Sequence, residues 1–305
     1  MKMSVASRSV GGYERYSDQQ RQVKRQYRSR AVKTRLQALG IHGLLIFASL
    51  IALFPLFIII MTSFKPAEEI FTTKIQVFPI HWTIDNYTYV LNDGFFSYMK
   101  NSVIVCLGTT CISLLAALPA AFALSRYEFR GKLGLLMSFL VTQMFPAPLL
   151  IVPLYALFIQ IHLLNNLFGL IIAGATGALP FSVWMLKAFF DAVPQELDQA
   201  GLLDGLGPFG VFYYIALPLT LPGIAVVWFL NFISSWNEFF FANLFISDKD
   251  IETLPLGLTH YVFQTGQHWQ WLCAYAVLVT IPVVVVFYWA QRYLVAGLTS
   301  GSMKG

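Results

Sequence analysis

Six apolar runs, at positions 39–64, 98–124, 133–160, 167–190, 215–246 and 271–293, occupy most of this 305-residue chain. A spanning helix needs about 20 predominantly apolar residues, because in hydrocarbon every backbone N–H and C=O must find its partner inside the segment. With 57% hydrophobic and only 11% charged residues, the chain holds more apolar surface than one soluble core of this length requires. The expected fold class is therefore an all-α polytopic membrane protein with six transmembrane helices. The third and fifth runs exceed one membrane thickness, which tilt, a break or extension into water accommodates.

The placement of cations orients these spans. Ten of the 20 Lys and Arg residues precede position 39, and Arg126, Arg130, Lys132, Lys187, Arg292 and Lys304 fall on the same side. Lys65, Lys74 and Lys249 mark the opposite side, with Lys100 just inside the second span. An excess of cations marks the cytoplasmic side, so both termini and the polar segment 194–222 are expected there. The chain then divides into a basic tail, 1–38, a six-span body, 39–293, and a short tail, 294–305. The net charge of +5 follows from this topology rather than from a nucleic-acid partner, although the tail is also suited to contact anionic membrane lipid. No cleavable signal peptide is evident, because the first apolar run is too long and lacks a small-x-small cleavage site.

Cys106, Cys111 and Cys273 lie within spans without C-x-x-C spacing, and the five His residues form no metal-ligating pattern. They are read as packing residues and scattered span-end residues. Each span carries proline, which removes a backbone donor and kinks a helix unless neighbours or water satisfy the freed carbonyl. The set is expected to shape a cavity-forming bundle.

The segment 194–222 is the most specific polar feature. Pro194 suits a helix start, Glu196 and Asp198 suit its positive N-terminal end, and Asp204-Gly205 supplies a turn where glycine accepts a left-handed backbone. A second, apolar helix follows Gly207-Pro208. The run Gln199-Ala200-Gly201, then Gly205, then Ile215, Leu217 and Pro218, resembles the EAA loop of the permease subunits of ATP-driven bacterial importers. Gln199 stands where that pattern has Glu, and Gly201 where it has a second Ala. Glu196 or Asp198 is the substitute for any ion pair made by the absent Glu.

Further stretches are similar to the maltose-type second permease subunit. These are Gln143-Met144-Phe145-Pro146-Ala147, Tyr155-Ala156-Leu157-Phe158, and the ending from Gln291 to Thr299 with Lys304-Gly305. Trp236-Asn237-Glu238-Phe239 looks like the broader sugar-permease group. The resemblance implies the six-span, MetI-like fold of a type I importer permease and a role in carrying maltose, maltodextrin or a related oligosaccharide; trehalose and alginate-like saccharides are alternatives. It also implies that the loop 194–218 couples to an ATPase through Glu196, Asp198, Gln199, Ala200, Gly201, Asp204, Gly205 and Pro218. The tail Gly301, Ser302, Met303, Lys304 and Gly305 would reach between two ATPase subunits.

No G-x-x-x-x-G-K-[ST] phosphate loop occurs in the chain, so ATP and Mg are expected on a separate ATPase and this subunit is expected to be non-catalytic. The implied partners are a second permease, two ATPase subunits and an extracytoplasmic sugar-binding protein, in a bacterial cytoplasmic (inner) membrane. For the sugar path, Trp236, Asn237 and Glu238 are placed near the outer end of the fifth span, since Glu238 lies about 35 Å beyond Ile215 at roughly 1.5 Å per residue. Asn231 is the deeper polar candidate. The external segment 247–270 is either a plain connector or a loop that reaches the binding protein. A secondary carrier driven by an ion gradient is the rival class; it would favour repeated halves and midplane charges, and these six spans show neither clearly.

Overall fold

The computed structural model describes residues 38–72, 76–264 and 268–300. Among them the secondary structure is helical, without strands. The chain divides into two compact units, Met1–Ile58 and Ile59–Gly305. Helix α1, Ala38–Ser63, supplies the described part of the first unit and the start of the second. Its 26 residues reach about 39 Å at 1.5 Å per residue, enough to cross a membrane.

In the second unit, α2 (Asp85–Val90) and α3 (Phe96–Arg126) form one 42-residue element, broken where Gly94 takes φ +92°. The span therefore starts before position 98. α6 (Leu167–Asp191) packs along α3, and α9 (Leu217–Trp236) packs against α3, α6 and α12 (Trp269–Ser300). Small residues let these helices approach closely, as is general for helices packed in lipid. A Cβ on Gly174 would lie 2.9 Å from Thr109 Oγ1, and one on Gly223 would lie 2.3 Å from Phe189 Cγ. Four hydrophobic cores result among the described residues, of which two are the largest. One centres on Phe122, Leu186, Phe190 and Val211, the other on Phe95, Tyr98, Trp236 and Tyr275.

The break allowed for in the third run is found, and the end of the fifth span is corrected. The run 133–160 is not one helix but α4 (Lys132–Met144) and α5 (Ala147–Gln160), bent by 103°. Phe145 is extended at φ −74°, ψ 126° because the residue before a proline is pushed out of the helical region, and Pro146 offers no donor to continue the ladder. The fifth span ends at Trp236, not 246. There the Asn237 side chain donates to the Ile233 carbonyl (2.8 Å), and a short helix, α10 (Phe240–Phe245), restarts beyond Glu238.

The segment after α10 is folded onto the bundle rather than trailing from it. Asn101 Nδ2 donates to the carbonyls of Asp250 and Glu252 (3.0 and 2.8 Å), Ser102 Oγ accepts from Leu254 N (2.7 Å), and Tyr261 OH donates to Asp93 (2.9 Å). The tails 1–37 and 301–305 lie outside the described residues.

Candidate functional site

At the end of the bundle where α3 and α6 terminate, the segment after Pro194 folds as a helical foot. α7 (Gln195–Leu203) begins after Pro194 with Glu196 and Asp198 in its first turn, where carboxylates complement the helix dipole. It ends in a Schellman cap. Leu206 N donates to Gly201 O (3.0 Å), Gly205 N donates to Leu202 O (3.2 Å), and Gly205 holds the left-handed φ of +91° that the motif requires. α8 (Pro208–Val211) follows with Pro208 in its first turn, and a π-helical turn, Phe212–Ala216, leads into α9.

The foot is tied to the bundle by charge. Arg126 at the end of α3 forms an ion pair through Nε with Asp198, and the two side chains are only 7% and 12% exposed. Arg126 Nη2 also donates to Val193 O (3.0 Å), the carbonyl just before the foot, and Nη1 donates to Ser125 Oγ (3.2 Å). Ser125 in turn donates to Asp191 (2.6 Å), whose other oxygen accepts from Lys187 (2.6 Å). Asp198 thus faces inward, while Glu196, Gln199, Ala200, Asp204 and Gly205 are exposed. Gly201 is buried against the entry to α9, and a Cβ there would meet Ile215 Cδ1 at 2.3 Å. Leu203 (89% exposed), before the Gly205 turn, and Phe209 (86% exposed), after it, are the most exposed large apolar residues of the foot. Sequence reasoning missed Arg126, whose signal was a lone cation closing a long apolar span, and it missed the two exposed apolar residues.

Deeper in the bundle, α3, α4, α6 and α9 enclose a cavity of about 510 Å³. Asn231 lines it and is 2% exposed; its amide donates to Ser113 Oγ (3.1 Å) and Ser182 Oγ (2.8 Å), joining α9 to α3 and α6. Glu238 lines it too, accepting from Phe241 N (2.9 Å) and Ala242 N (3.2 Å). Burial pushes the Glu238 carboxyl above its ordinary pKa, and the amide donors of α10 draw it back. The other two expected residues are placed elsewhere. Trp236 is 2% exposed and packs against Phe232 in the aromatic core, and Asn237 caps α9 on an exposed surface, so neither lines the cavity. Ser234 and Ser235 line it instead. Asn231, Ser234 and Ser235 stand at i, i+3 and i+4 on one face of α9, and Glu238 joins them from the turn beyond its end.

The family model for binding-protein-dependent transport system inner membrane components matches residues 110–300, from the middle of α3 through α12. The chain belongs to that family. The permease is 34% identical to the inner membrane ABC transporter permease protein YcjP of Escherichia coli K12 over 278 residues, covering 90% of this chain and 99% of that one. It is 33% identical to the diacetylchitobiose uptake system permease protein DasC of Streptomyces coelicolor, covering 83% and 92%. It is 34% identical to the maltose/maltodextrin transport system permease protein MalG of Yersinia pestis, covering 89% and 95%. Its fold matches a chain in the crystal structure of a bacterial ABC transporter involved in the import of the acidic polysaccharide alginate. The TM-score is 0.74 at 22% identity, over 85% of this chain and 97% of that one. The MetI-like permease fold and a multi-pass inner-membrane location follow, and the permease is a transport component rather than an enzyme.

Proposed function

We propose that this permease forms half of the translocation pathway of an ATP-driven importer of oligosaccharides of the maltose/maltodextrin type, and that the foot from Pro194 to Pro218 docks onto a separate ATPase. One observation carries the reading. The foot is tied on its inner face by the buried Arg126–Asp198 pair and closed by the Schellman cap, and it exposes Leu203 and Phe209. Exposed apolar side chains on a helix anchored to the bundle suit insertion into a partner's cleft and transmission of its movement. Glu196, Gln199, Ala200 and Asp204 are exposed on the same foot.

In this reading the partners are a second permease, two ATPase subunits and an extracytoplasmic sugar-binding protein, with both termini cytoplasmic. ATP and Mg belong to the ATPase, and the tail Gly301 to Gly305 reaches between its two copies. The relatives that carry diacetylchitobiose and maltodextrin support an oligosaccharide substrate. Affinity purification of the tagged permease from its native membrane tests this. Recovery of a stoichiometric ATPase and a second permease, with ATP-dependent saccharide uptake after reconstitution, is the expected result. Uptake by the purified single chain, driven by an ion gradient, would overturn it.

A further inference from the structure

The polar side chains of the 510 Å³ cavity are almost all neutral. Ser102, Thr109, Gln143, Asn231, Ser234 and Thr253 bring hydroxyls and amides, the groups that pair with sugar hydroxyls as either donor or acceptor. Thr253 is 4% exposed, and its buried hydroxyl oxygen has no hydrogen-bond partner among the described residues. Glu238 is the one charged residue in the lining, and no Lys, Arg or His accompanies it. Both of its oxygens accept backbone N–H groups, the pattern of an ionised, acceptor-only carboxylate. The remaining wall, from Val105, Leu170, Phe181 and Leu230 among others, is apolar, so charges in the cavity are weakly screened.

We propose that this cavity contacts the saccharide directly and that Glu238 acts in it as a selectivity element, admitting neutral oligosaccharides and rejecting those that carry carboxylates. The proposal rests on the sugar-importer reading and narrows its substrate class. A uronate unit entering the cavity brings a second negative charge towards Glu238, with no cation among this chain's described lining residues to offset it. At roughly 7 Å and an effective dielectric near 20, the repulsion disfavours the anionic sugar by on the order of 10- to 100-fold. By this criterion the permease shares the fold of the alginate-associated transporter while disfavouring substrates of that charge.

The test uses the complete reconstituted importer and compares uptake of a neutral gluco-oligosaccharide with the same oligosaccharide oxidised to carboxylates at C6. The binding protein is common to all preparations, so the change in the uptake ratio between variants reports the permease alone. Glu238→Gln retains a carbonyl oxygen to cap α10 and removes the charge; the ratio of anionic to neutral uptake should rise about tenfold or more. If that variant fails to assemble, Ser234→Lys leaves the cap intact, adds a cation to the same helix face, and should move the ratio the same way. An unchanged ratio in whichever assembled variants are measured, or a wild-type importer that prefers the carboxylated sugar, would overturn the proposal while leaving the importer reading intact. Uptake of no saccharide by the wild-type assembly would instead overturn the reading beneath it.

Discussion

Breaking the Arg126–Asp198 pair should loosen the foot, and the geometry fixes both the size and the order of the effects. With side chains 7% and 12% exposed, neither charge is solvated enough to stand alone. Removing one partner of a buried pair typically costs about 3 to 5 kcal/mol, because the other is left uncompensated. Asp198→Ala should fall at the low end, about 3 kcal/mol, since Arg126 keeps its bonds to Val193 O and Ser125 Oγ. Arg126→Ala should be worse, because it strands Asp198 and also deletes a charge-assisted bond to Val193 O worth roughly 1.5 to 3 kcal/mol. The double variant Arg126→Met/Asp198→Leu removes both charges and should recover most of the loss. Thermal unfolding of the detergent-purified assembly, followed by size-exclusion recovery, provides the stability scale, and the ratio of saccharide transported to ATP hydrolysed provides the functional one. Both single variants should lower that ratio more than they lower ATP hydrolysis itself. A loss below about 1 kcal/mol for Asp198→Ala, with the ratio unchanged, would show the pair to be solvent-screened and the foot to be held by something else.

Three further outcomes follow from local geometry. Gly205→Val forces a β-branched residue to φ +91° and should cost about 1 to 2 kcal/mol or more in the foot, read as reduced recovery of the ATPase on purification. Gly223→Ala places a Cβ 2.3 Å from Phe189 Cγ, a ring atom that cannot swing aside as a chain end can, so overpacking of about 1 to 3 kcal/mol is expected in thermal unfolding; Gly201→Ala, which meets only the flexible tip of Ile215, should be milder. In the loop after α1, burial raises the Glu69 pKa, but amide bonds from Ile80 and His81 (both 2.8 Å) and the His81 ring outweigh it and leave the pKa below its ordinary 4.5. A depressed carboxylate contributes stability that is present above pH 4.5 and is lost as pH falls through the lower folded value, so protection of this loop from an acid-active protease should decline on acidification below pH 4.5, and Glu69→Gln should remove that dependence.

Much of the architecture was legible because lipid imposes one rule on every span, and apolar length alone located six segments near the helices observed. Boundaries failed where side chains act on the backbone: Pro146 breaks the third span through the conformation of Phe145, and Glu238 restarts a helix as α10 by capping amides three and four residues ahead. The foot was readable from Gly205 and the prolines around it. Its anchor was not, since Asp198 meets a residue 72 positions earlier in the chain, and a single sequence carries no sign of such a pairing. The cavity lining was only partly legible for a similar reason. Asn231, Ser234 and Ser235 share a face of α9 and Glu238 joins them from the turn beyond it, whereas Trp236 drew attention by its aromatic chemistry and packs in the aromatic core.

A photo-crosslinking amino acid placed at position 203, where the native Leu203 is 89% exposed, tests the central claim most directly. In native membranes it should yield one major adduct, containing a nucleotide-binding subunit, with a yield that changes when ATP is added. Adducts confined to an extracytoplasmic protein, or none to any ATPase in membranes that transport normally, would contradict the account.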